Sequence, residues 1–165
     1  MDRHIFLIGM MGCGKSTMGR RLARLTGAAC LDLDEEIVRR EGRTIPEIFA
    51  DAGDAGFRIL ETAALRAACA MPPMIIATGG GVVTREENID LMRENGTVVW
   101  LNRPLEAIIA CVQQDNRPKL AGNKEERMRT LYAQREALYT RAAHIVFDNS
   151  APPEQAAKAL ADTLR

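Results

Sequence analysis

Short apolar runs alternate with longer segments of helical periodicity along the whole chain. The apolar runs cover residues 4–8, 29–33, 74–77, 97–101 and 144–147. The segments of helical periodicity lie near residues 15–26, 35–41, 45–70, 85–94, 104–113, 124–141 and 153–164. Strands that alternate with helices are typical of a parallel sheet covered by helices on both faces. The pattern therefore predicts an α/β fold, with residues 1–165 forming one domain.

Local signals support two of the predicted helix starts. The segments Thr44–Glu47 and Thr84–Glu87 both match a capping box. In this motif a threonine side chain and a glutamate side chain satisfy backbone N–H groups at the N-terminus of a helix. We therefore expect one helix to begin beside each of these segments.

The segment Gly9–Ser16, with the sequence GMMGCGKS, matches the phosphate-binding pattern G-x-x-x-x-G-K-[ST]. An apolar run precedes it and a helical segment follows it, which is the context that the motif requires. Its glycines let backbone N–H groups approach phosphate oxygens, and the helix N-terminus adds partial positive charge. Lys15 is expected to reach the β- and γ-phosphates of a nucleotide, and the Ser16 hydroxyl to ligate Mg²⁺. The alternative is a glycine-rich turn before an ordinary helix.

Charge and cysteine content argue against several classes of protein. Lys plus Arg and Asp plus Glu both number 22, so the formal net charge is zero. This balance argues against nucleic acid or an anionic membrane surface as the main partner. The apolar runs are too short to span a bilayer. The four cysteines form no C-x-x-C pair, which favours free thiols in a reducing cytoplasm. No feature requires an oligomer, so a monomer is the default expectation.

Two aspartates close the second apolar run, in the segment Cys30–Asp34. Residues two apart on a strand point to the same face, and ligands of open parallel sheets bind beyond the carboxyl ends of the strands. Asp32 and Asp34 would therefore both face the bound phosphates. They could hold Mg²⁺ and accept a proton from an acceptor hydroxyl. The alternative is that one of them caps the next helix, which is predicted to begin near Glu35.

A further set of residues suits the binding of a small acid. Phe57, Arg58 and Glu61 are spaced three and four apart, so they share one helix face. They could bind a small polar ring that carries an acid group, or form an ordinary surface pair beside a core phenylalanine. Gly79–Gly81 follow an apolar run, where they either let a ligand approach the backbone or make a turn. Arg135 could bind a carboxylate through two hydrogen bonds from its planar guanidinium group, or it could lie in solvent.

The segment 113–123 fits no regular element, because it is polar and contains Pro118 and Gly122. In an enzyme that transfers a phosphoryl group, such a loop can act as a lid over the nucleotide. Arg117 would then supply positive charge near the γ-phosphate. We therefore predict a lid at about residues 112–124, with a plain surface loop as the alternative.

Taken in order, these motifs resemble the shikimate kinases. The resemblance runs essentially from end to end and is carried by Gly9–Ser16, Asp32 with Asp34, Phe57-Arg58 with Glu61, Thr78–Gly81, Arg117-Pro118 and Arg135–Tyr139. It implies an ATP-dependent kinase that phosphorylates the 3-hydroxyl of shikimate in the pathway to aromatic amino acids. It also implies a P-loop fold with α/β/α layers, a five-stranded parallel sheet and a helical lid.

The resemblance implies a role for each matching residue. Lys15 would hold the ATP phosphates, while Ser16 and Asp32 would serve Mg²⁺. Asp34 would orient or deprotonate the attacking hydroxyl, and Arg117 would reach the γ-phosphate. The implied nucleotide-binding residues are Gly12, Cys13, Gly14, Lys15, Ser16, Thr17 and Arg117. The implied shikimate-binding residues are Asp34, Phe49, Phe57, Arg58, Glu61, Gly79, Gly80, Gly81 and Arg135, with the two arginines around the carboxylate.

Two departures from the family pattern lie near the lid. Lys119 stands where many members have leucine, and Cys111 stands where an arginine often stacks on adenine. Two other functions also fit part of the pattern. A kinase for another small hydroxy acid, such as gluconate, would use the same pair of arginines. A nucleotide-dependent switch would bind ATP without a small acceptor.

Overall fold

The computed structural model describes residues 1–114 and 124–165. Its strands are β1 (His4–Ile8), β2 (Cys30–Asp32), β3 (Ile75–Ala77), β4 (Gly96–Asn102) and β5 (Ile145–Asp148). Its α-helices are α1 (Lys15–Thr26), α2 (Leu33–Glu41), α3 (Ile45–Cys69), α4 (Glu86–Asn95), α5 (Leu105–Gln114), α6 (Lys124–Ala142) and α7 (Pro153–Thr163). A short 3-10 helix (Val82–Thr84) lies between β3 and α4.

The strands form one parallel sheet in the order β2-β3-β1-β4-β5. Strand β1 lies at the centre, where Phe6 is opposite Ile76 of β3 on one side and Val98 of β4 on the other. Phe6, Leu7 and Ile8 are fully buried, because a central parallel strand is covered on both faces. The predicted α/β class and the parallel five-stranded sheet are confirmed.

Helices cover the sheet and leave its carboxyl edge to the loops. Helix α1 packs against α7 and against β1, β2 and β3, whereas α4 and α6 pack against each other and against β4. The buried side chains of these helices and of α3 join one core, which includes Leu22, Leu65, Met92 and Leu160. Among the described residues, every helix is too short or too polar to cross a bilayer.

The two predicted capping boxes have different outcomes. Thr44 caps α3 as predicted, because its hydroxyl accepts a hydrogen bond from the N–H of Glu47 at 3.3 Å. A helix also begins beside Thr84–Glu87, as predicted, but Thr84 does not cap it. Its hydroxyl donates to the carbonyl of Gly81 at 2.7 Å and so completes the preceding 3-10 turn. Helix α4 instead begins after Arg85, whose side chain makes no capping hydrogen bond.

Helix α3 is kinked at Gly53, although the sequence predicts one continuous helix. Gly53 has φ 68° and ψ −174°, a backbone conformation that glycine adopts without strain. The kink brings Phe49 against Phe57, with their ring centroids 4.6 Å apart. In a straight helix, these residues would be about 12 Å apart along the axis and could not stack. The kink therefore builds the aromatic wall that the functional interpretation requires.

Two histidines join neighbouring strands at the amino edge of the sheet. His4 is only 4% exposed. Its Nδ1 accepts a hydrogen bond from the N–H of Met74 at 3.2 Å, and its Nε2 lies 3.3 Å from the carbonyl oxygen of Cys69. Just before β5, His144 makes two contacts with Val98: its Nδ1 accepts from the Val98 N–H at 3.0 Å, and its own N–H donates to the Val98 carbonyl at 2.8 Å. Both Nδ1 atoms must be unprotonated to accept these bonds.

The contact between His144 and Val98 predicts that the fold loses stability in mild acid. Burial and the nearby Arg93 and Arg3 lower the pKa of His144. The unfolded state therefore binds the proton more tightly, so this contribution is complete above the ordinary imidazole pKa of about 6.5 and is lost as the pH falls below it. Because the side chain is largely exposed, the effect is less than about 1 kcal/mol.

Denaturant unfolding at pH 7.5 and pH 5.5 measures this effect. The free energy of unfolding should fall by more in the wild type than in His144→Ala between these two pH values. Equal pH dependence in both proteins would show that His144 does not contribute.

Candidate active site

Three segments meet at the carboxyl edge of the sheet. They are the phosphate loop Gly9–Gly14 between β1 and α1, the start of α2 after β2, and the triple glycine Gly79–Gly81 after β3. Ligands of open parallel sheets bind at this edge, because the loops there are free of sheet hydrogen bonds and surround a crevice. The candidate residues predicted from the sequence lie on these segments and on the helices that pack beside them.

Lys15 lies over the phosphate loop from the first turn of α1. Its Nζ donates to the carbonyl of Gly9 at 2.6 Å and to that of Met10 at 2.9 Å, and the residue is 8% exposed. The N–H of Cys13 donates to the same Met10 carbonyl at 3.2 Å, which closes the loop. The structure therefore fixes a buried ammonium group inside a loop whose sequence predicts phosphate binding.

Asp32 joins the phosphate loop to helix α2. Its Oδ2 accepts a hydrogen bond from the Ser16 hydroxyl at 2.5 Å. Its Oδ1 accepts from the N–H groups of Asp34 and Glu35 at 3.1 and 3.2 Å, so Asp32 is the N-cap of α2. The cap starts the helix at Leu33, earlier than the sequence predicts. The expectation that Asp34 ends a strand is therefore wrong, because Asp34 lies in the first turn of α2.

Two carboxylates converge on Gly79. A Cβ atom on Gly79 would lie 3.0 Å from Oδ1 of Asp34 and 3.0 Å from Oε2 of Glu61. Among the described residues, these two oxygens are buried and have no hydrogen-bond partner. Burial raises the pKa of both carboxyl groups; Asp32 adds to the rise at Asp34, while Arg58 opposes it at both. Buried oxygens of this kind suit a ligand whose hydroxyl groups donate hydrogen bonds to them.

Arg58 contacts the triple glycine from helix α3. Its Nη1 donates to Oε1 of Glu61 at 2.8 Å, and Glu61 itself is fully buried. The guanidinium carbon lies 5.2 Å from the centre of the Phe57 ring. A Cβ atom on Gly81 would lie only 2.6 Å from that carbon, so no other residue fits at this position without displacing Arg58. The predicted face of Phe57, Arg58 and Glu61 is present, and Gly81 allows its close approach.

Arg135 approaches the same segment from helix α6. A Cβ atom on Gly80 would lie 3.4 Å from Nη1 of Arg135 and 3.3 Å from the backbone nitrogen of Met11 in the phosphate loop. Gly80 therefore lies between a guanidinium group and the phosphate loop. The structure thus brings Arg58 and Arg135, which are far apart in the sequence, to neighbouring glycines.

A cavity of about 330 Å³ lies on the other side of the phosphate loop. Its lining includes Gly12, Cys13, Gly14 and Thr17, which the sequence assigns to nucleotide binding, and also Cys111 and Pro153. A larger cavity of about 620 Å³ lies at the amino ends of the strands, beside Ile5 and Ile75. That cavity is remote from every candidate residue, so the smaller one is the better candidate for a nucleotide.

Sequence reasoning missed two residues of the nucleotide side. Asn149, after β5, donates from its side-chain amide to the carbonyl of Cys13 at 2.7 Å. Arg103, after β4, lies with Nη1 3.5 Å from the carbonyl oxygen of Gly12. Both line the smaller cavity. Their positions just after strand ends were the available signal, since these are the loops that border a ligand site in this class of sheet.

The predicted lid cannot be assessed in the same way. Residues 115–123, which contain Arg117 and Lys119, lie outside the described part of the chain. Helix α5 reaches Gln114, and α6 begins at Lys124. The remaining predicted site residues all lie at the carboxyl edge of the sheet or on helices beside it.

Comparisons with known proteins all point to one family. The shikimate kinase family model matches residues 11–165. A shikimate kinase from Nitrosomonas europaea is 42% identical over 163 residues, which cover 98% of this chain and 76% of that protein. A shikimate kinase 2 from an Enterobacter species is 40% identical and covers 100% of this chain and 97% of its own length. The structure of an Acinetobacter baumannii shikimate kinase in complex with shikimate has a TM-score of 0.88 and 38% identity, covering 98% of this chain and 90% of that one.

The buried carboxylate of Asp34 predicts a cost in stability that a neutral side chain would remove. Because the pKa of Asp34 is raised in the folded state, the folded protein binds the proton more tightly, and stability is lost as the pH rises above the ordinary aspartate pKa. Asp34→Asn should therefore raise the free energy of unfolding of the ligand-free protein at pH 7.5 by about 1 kcal/mol. The gain should be smaller at pH 4.5.

Chemical denaturation of both proteins at both pH values tests this prediction. Asp90→Asn, at an exposed position on α4, is the matched control and should leave stability nearly unchanged. A loss of stability in Asp34→Asn at pH 7.5 would contradict the prediction.

Proposed function

The chain belongs to the shikimate kinase family, and we propose that it transfers the γ-phosphoryl group of ATP to the 3-hydroxyl of shikimate at the carboxyl edge of its sheet. One observation supports this proposal above all others. Two carboxylates and two guanidinium groups converge on Gly79–Gly81, and this segment lies against the phosphate loop. A polyhydroxylated ring acid requires such a combination of hydrogen-bond acceptors and cations next to bound ATP.

On the nucleotide side, the phosphate loop holds the β- and γ-phosphates. Lys15 exchanges its hydrogen bonds to the loop carbonyls for phosphate oxygens, and the backbone N–H groups of Gly12 to Thr17 surround the phosphates. The cavity of about 330 Å³ next to Gly14 accommodates the nucleoside. Cys111 lines this cavity, so a thiol contacts the nucleoside at the position where the family resemblance implies an arginine.

Ser16 and Asp32 fit a divalent metal ion that is carried by the nucleotide. Their oxygens are already 2.5 Å apart, and hydroxyl and carboxylate oxygens are the ligands that Mg²⁺ prefers. Within residues 1–114 and 124–165, no group of three His, Cys, Asp or Glu side chains could hold a metal ion. The protein would therefore supply two ligands to the metal ion, and the nucleotide phosphates would supply others. When bound, the ion neutralises charge on the β- and γ-phosphates.

On the acceptor side, Arg58 and Arg135 bind the shikimate carboxylate. Each guanidinium group lies beside one glycine of the triple glycine, so the acid group is held against the backbone of this segment. Glu61 fixes Arg58 through their hydrogen bond of 2.8 Å. The stacked rings of Phe49 and Phe57 form an apolar wall for the carbon skeleton. Charge-assisted pairs of this kind give both orientation and affinity.

Asp34 orients the attacking hydroxyl and accepts its proton. The hydroxyl oxygen forms a bond to the γ-phosphorus, the bond from that phosphorus to the β-γ bridging oxygen breaks, and ADP leaves. Burial raises the pKa of Asp34, which makes this carboxylate a better proton acceptor than an exposed aspartate. Arg117 adds positive charge near the γ-phosphate; this role rests on the family resemblance alone, since Arg117 lies outside the described residues.

The chain acts as a monomer in the cytoplasm, without a nucleic acid or membrane partner. The zero net charge argues against a nucleic acid or membrane partner, and the free cysteines favour a reducing cytoplasm. The monomer is the default expectation, because no feature of the sequence requires an oligomer. Size-exclusion chromatography with light scattering would measure the oligomeric state directly.

A coupled assay for ADP tests the proposed function. ADP should form with ATP and Mg²⁺ only when shikimate is added, and shikimate 3-phosphate should appear in equal amount. ADP production with gluconate but not with shikimate would assign another hydroxy acid. Nucleotide binding without any acceptor-dependent turnover would assign a switch.

Removing either arginine should weaken shikimate binding selectively. Arg58→Ala and Arg135→Ala should each raise the KM for shikimate at least tenfold, because the loss of one side of a charge-assisted clamp costs about 1.5–3 kcal/mol. ATP affinity should remain nearly unchanged in both variants. Steady-state kinetics with each substrate varied in turn provide the measurement.

Each arginine variant has a matched control on the same helix. Arg66 on α3 and Arg129 on α6 are exposed, and among the described residues they form ion pairs with surface glutamates only. Their alanine variants should leave both KM values within about twofold. Equal loss of ATP and shikimate affinity in the Arg58 or Arg135 variants would contradict the assignment.

Replacing the proposed base should slow the chemical step. Asp34→Asn should lower kcat by 10²–10⁴-fold, the usual range for a general base, while the affinity for ATP with Mg²⁺ changes by less than about threefold. Part of the loss comes from misorientation of the hydroxyl, because phosphoryl transfer requires little help from a base. A variant that retains more than about a tenth of the wild-type kcat would exclude the catalytic role.

A further inference from the structure

Tyr139 makes a hydrogen bond that the proposed reaction does not use. It lies on α6, its side chain is fully buried, and its hydroxyl donates to the carbonyl of Gly80 at 2.5 Å. Arg135, one helical turn earlier on α6, lies beside the same Gly80. One helix therefore contacts one glycine through two side chains, a cation and a phenol.

The aromatic ring of Tyr139 has a fixed position. It stacks on Trp100 of β4, with ring centroids 5.6 Å apart and an interplanar angle of 30°. Trp100 in turn packs against Gly9, the first residue of the phosphate loop, where a Cβ atom would lie 3.4 Å from the indole Cδ1. The hydroxyl is thus held in place by the sheet, independently of the triple glycine that it contacts.

The phenol keeps its proton under all physiological conditions. Burial raises the pKa of Tyr139 well above that of an exposed tyrosine, and the neighbouring Arg135 guanidinium only partly opposes the rise. Tyr139 is therefore a permanent hydrogen-bond donor to Gly80.

The bond to Tyr139 selects the orientation of one peptide unit. In a trans peptide the N–H points opposite to the C=O, so a Gly80 carbonyl held by Tyr139 directs the N–H of Gly81 to the opposite side. Glycines flank this peptide on both sides, so it could rotate at low cost without such a bond. Neighbouring carbonyls of the loop have local partners instead: that of Gly81 accepts from Thr84 at 2.7 Å, and that of Val82 accepts from Asn88 at 2.9 Å.

We propose that Tyr139 is a positioning residue for the acceptor site. It fixes the orientation of the Gly80–Gly81 peptide and the position of this peptide relative to Arg135. The inference rests on the proposed function, because it assigns Arg135 and Gly80 to shikimate binding. Tyr139 does not touch the reacting atoms. It makes Arg135 and the triple glycine move as one unit, since the same turn of α6 carries Arg135 and, through Tyr139, holds Gly80.

Tyr139→Phe tests the proposal, because it removes the hydroxyl and keeps the ring on Trp100. The KM for shikimate should rise by about fivefold to twentyfold, the effect of leaving one buried acceptor without its donor. The KM for ATP should change by less than about twofold, since the phosphate loop is unchanged. A purely structural role would instead lower thermal stability without changing the KM for shikimate, and this result would overturn the proposal.

The chain offers a matched control, because it contains only two tyrosines. Tyr132 lies on the same helix, about 10 Å from Tyr139 along the axis. Tyr132→Phe should leave both KM values within about twofold of wild type. A rise in the KM for shikimate equal to that of Tyr139→Phe would overturn the proposal, since it would show a general effect of α6.

Two further variants test the mechanism itself. Incorporation of p-aminophenylalanine at position 139 retains a donor on the ring and should restore the KM for shikimate to within about threefold of wild type. In an Arg135→Ala background, Tyr139→Phe should add less than about twofold, because the two residues act on one ligand group. Failure of the amino variant to restore the KM, or fully additive effects of the two substitutions, would overturn the proposal.

The same experiment distinguishes this proposal from the proposed function. If Arg135→Ala raises the KM for shikimate but Tyr139→Phe does not, the role of Tyr139 is wrong and the acid clamp stands. If neither variant changes shikimate kinetics, the clamp itself is misassigned and the Tyr139 proposal falls with it. Trp100 is the only tryptophan, so a fluorescence titration with shikimate also reports directly on the ring stacked against Tyr139.

Discussion

The site depends on three consecutive residues that have no side chain. A Cβ atom on Gly79 would lie 3.0 Å from Asp34 and from Glu61, and one on Gly81 would overlap the guanidinium group of Arg58. A Cβ atom on Gly80 would lie 3.3 Å from the backbone nitrogen of Met11 and 3.4 Å from Arg135. Opposite charges therefore pack against a single stretch of backbone. A larger residue at Gly79 or Gly81 would displace at least one of these charged groups. Close packing against charged side chains, rather than backbone flexibility, therefore explains the glycines at these two positions.

The charges at this segment are only partly balanced within the protein. Arg58 pairs with one oxygen of Glu61, whereas the other oxygen of Glu61 and one oxygen of Asp34 are buried without a partner in the described residues. Unpaired buried carboxylate oxygens destabilise a fold. A ligand that donates hydroxyl hydrogens to them removes this penalty, so part of the binding free energy comes from relief of the ligand-free state. In the described residues, two carboxylate oxygens of the candidate site therefore remain available to a ligand.

Local patterns predict some of these features but not others. The phosphate loop, the alternation of strands and helices and the face of Phe57, Arg58 and Glu61 follow from short-range spacing, and the structure agrees with each. Short-range spacing does not predict the kink at Gly53, which accompanies a contact between distant side chains. It also does not predict the early start of α2, because either Asp32 or Asp34 could cap that helix. The meeting of Arg58 with Arg135 depends on how α3 and α6 pack around the sheet. No local signal in either segment contains that information.

The early start of α2 also connects the proposed nucleotide side to the proposed acceptor side. Asp32 uses one oxygen for Ser16, on the nucleotide side, and the other for the N–H groups that begin α2, where Asp34 faces the acceptor side. If Asp34 were on a strand, as the sequence suggests, its position would vary with the twist at the sheet edge. In the first turn of a capped helix, it is instead fixed relative to Asp32 by two hydrogen bonds.

A residue that must hold a hydroxyl in line with a phosphorus atom benefits from this rigidity, because small displacements reduce the rate strongly. The same carboxylate therefore connects the proposed metal ligands to the proposed base.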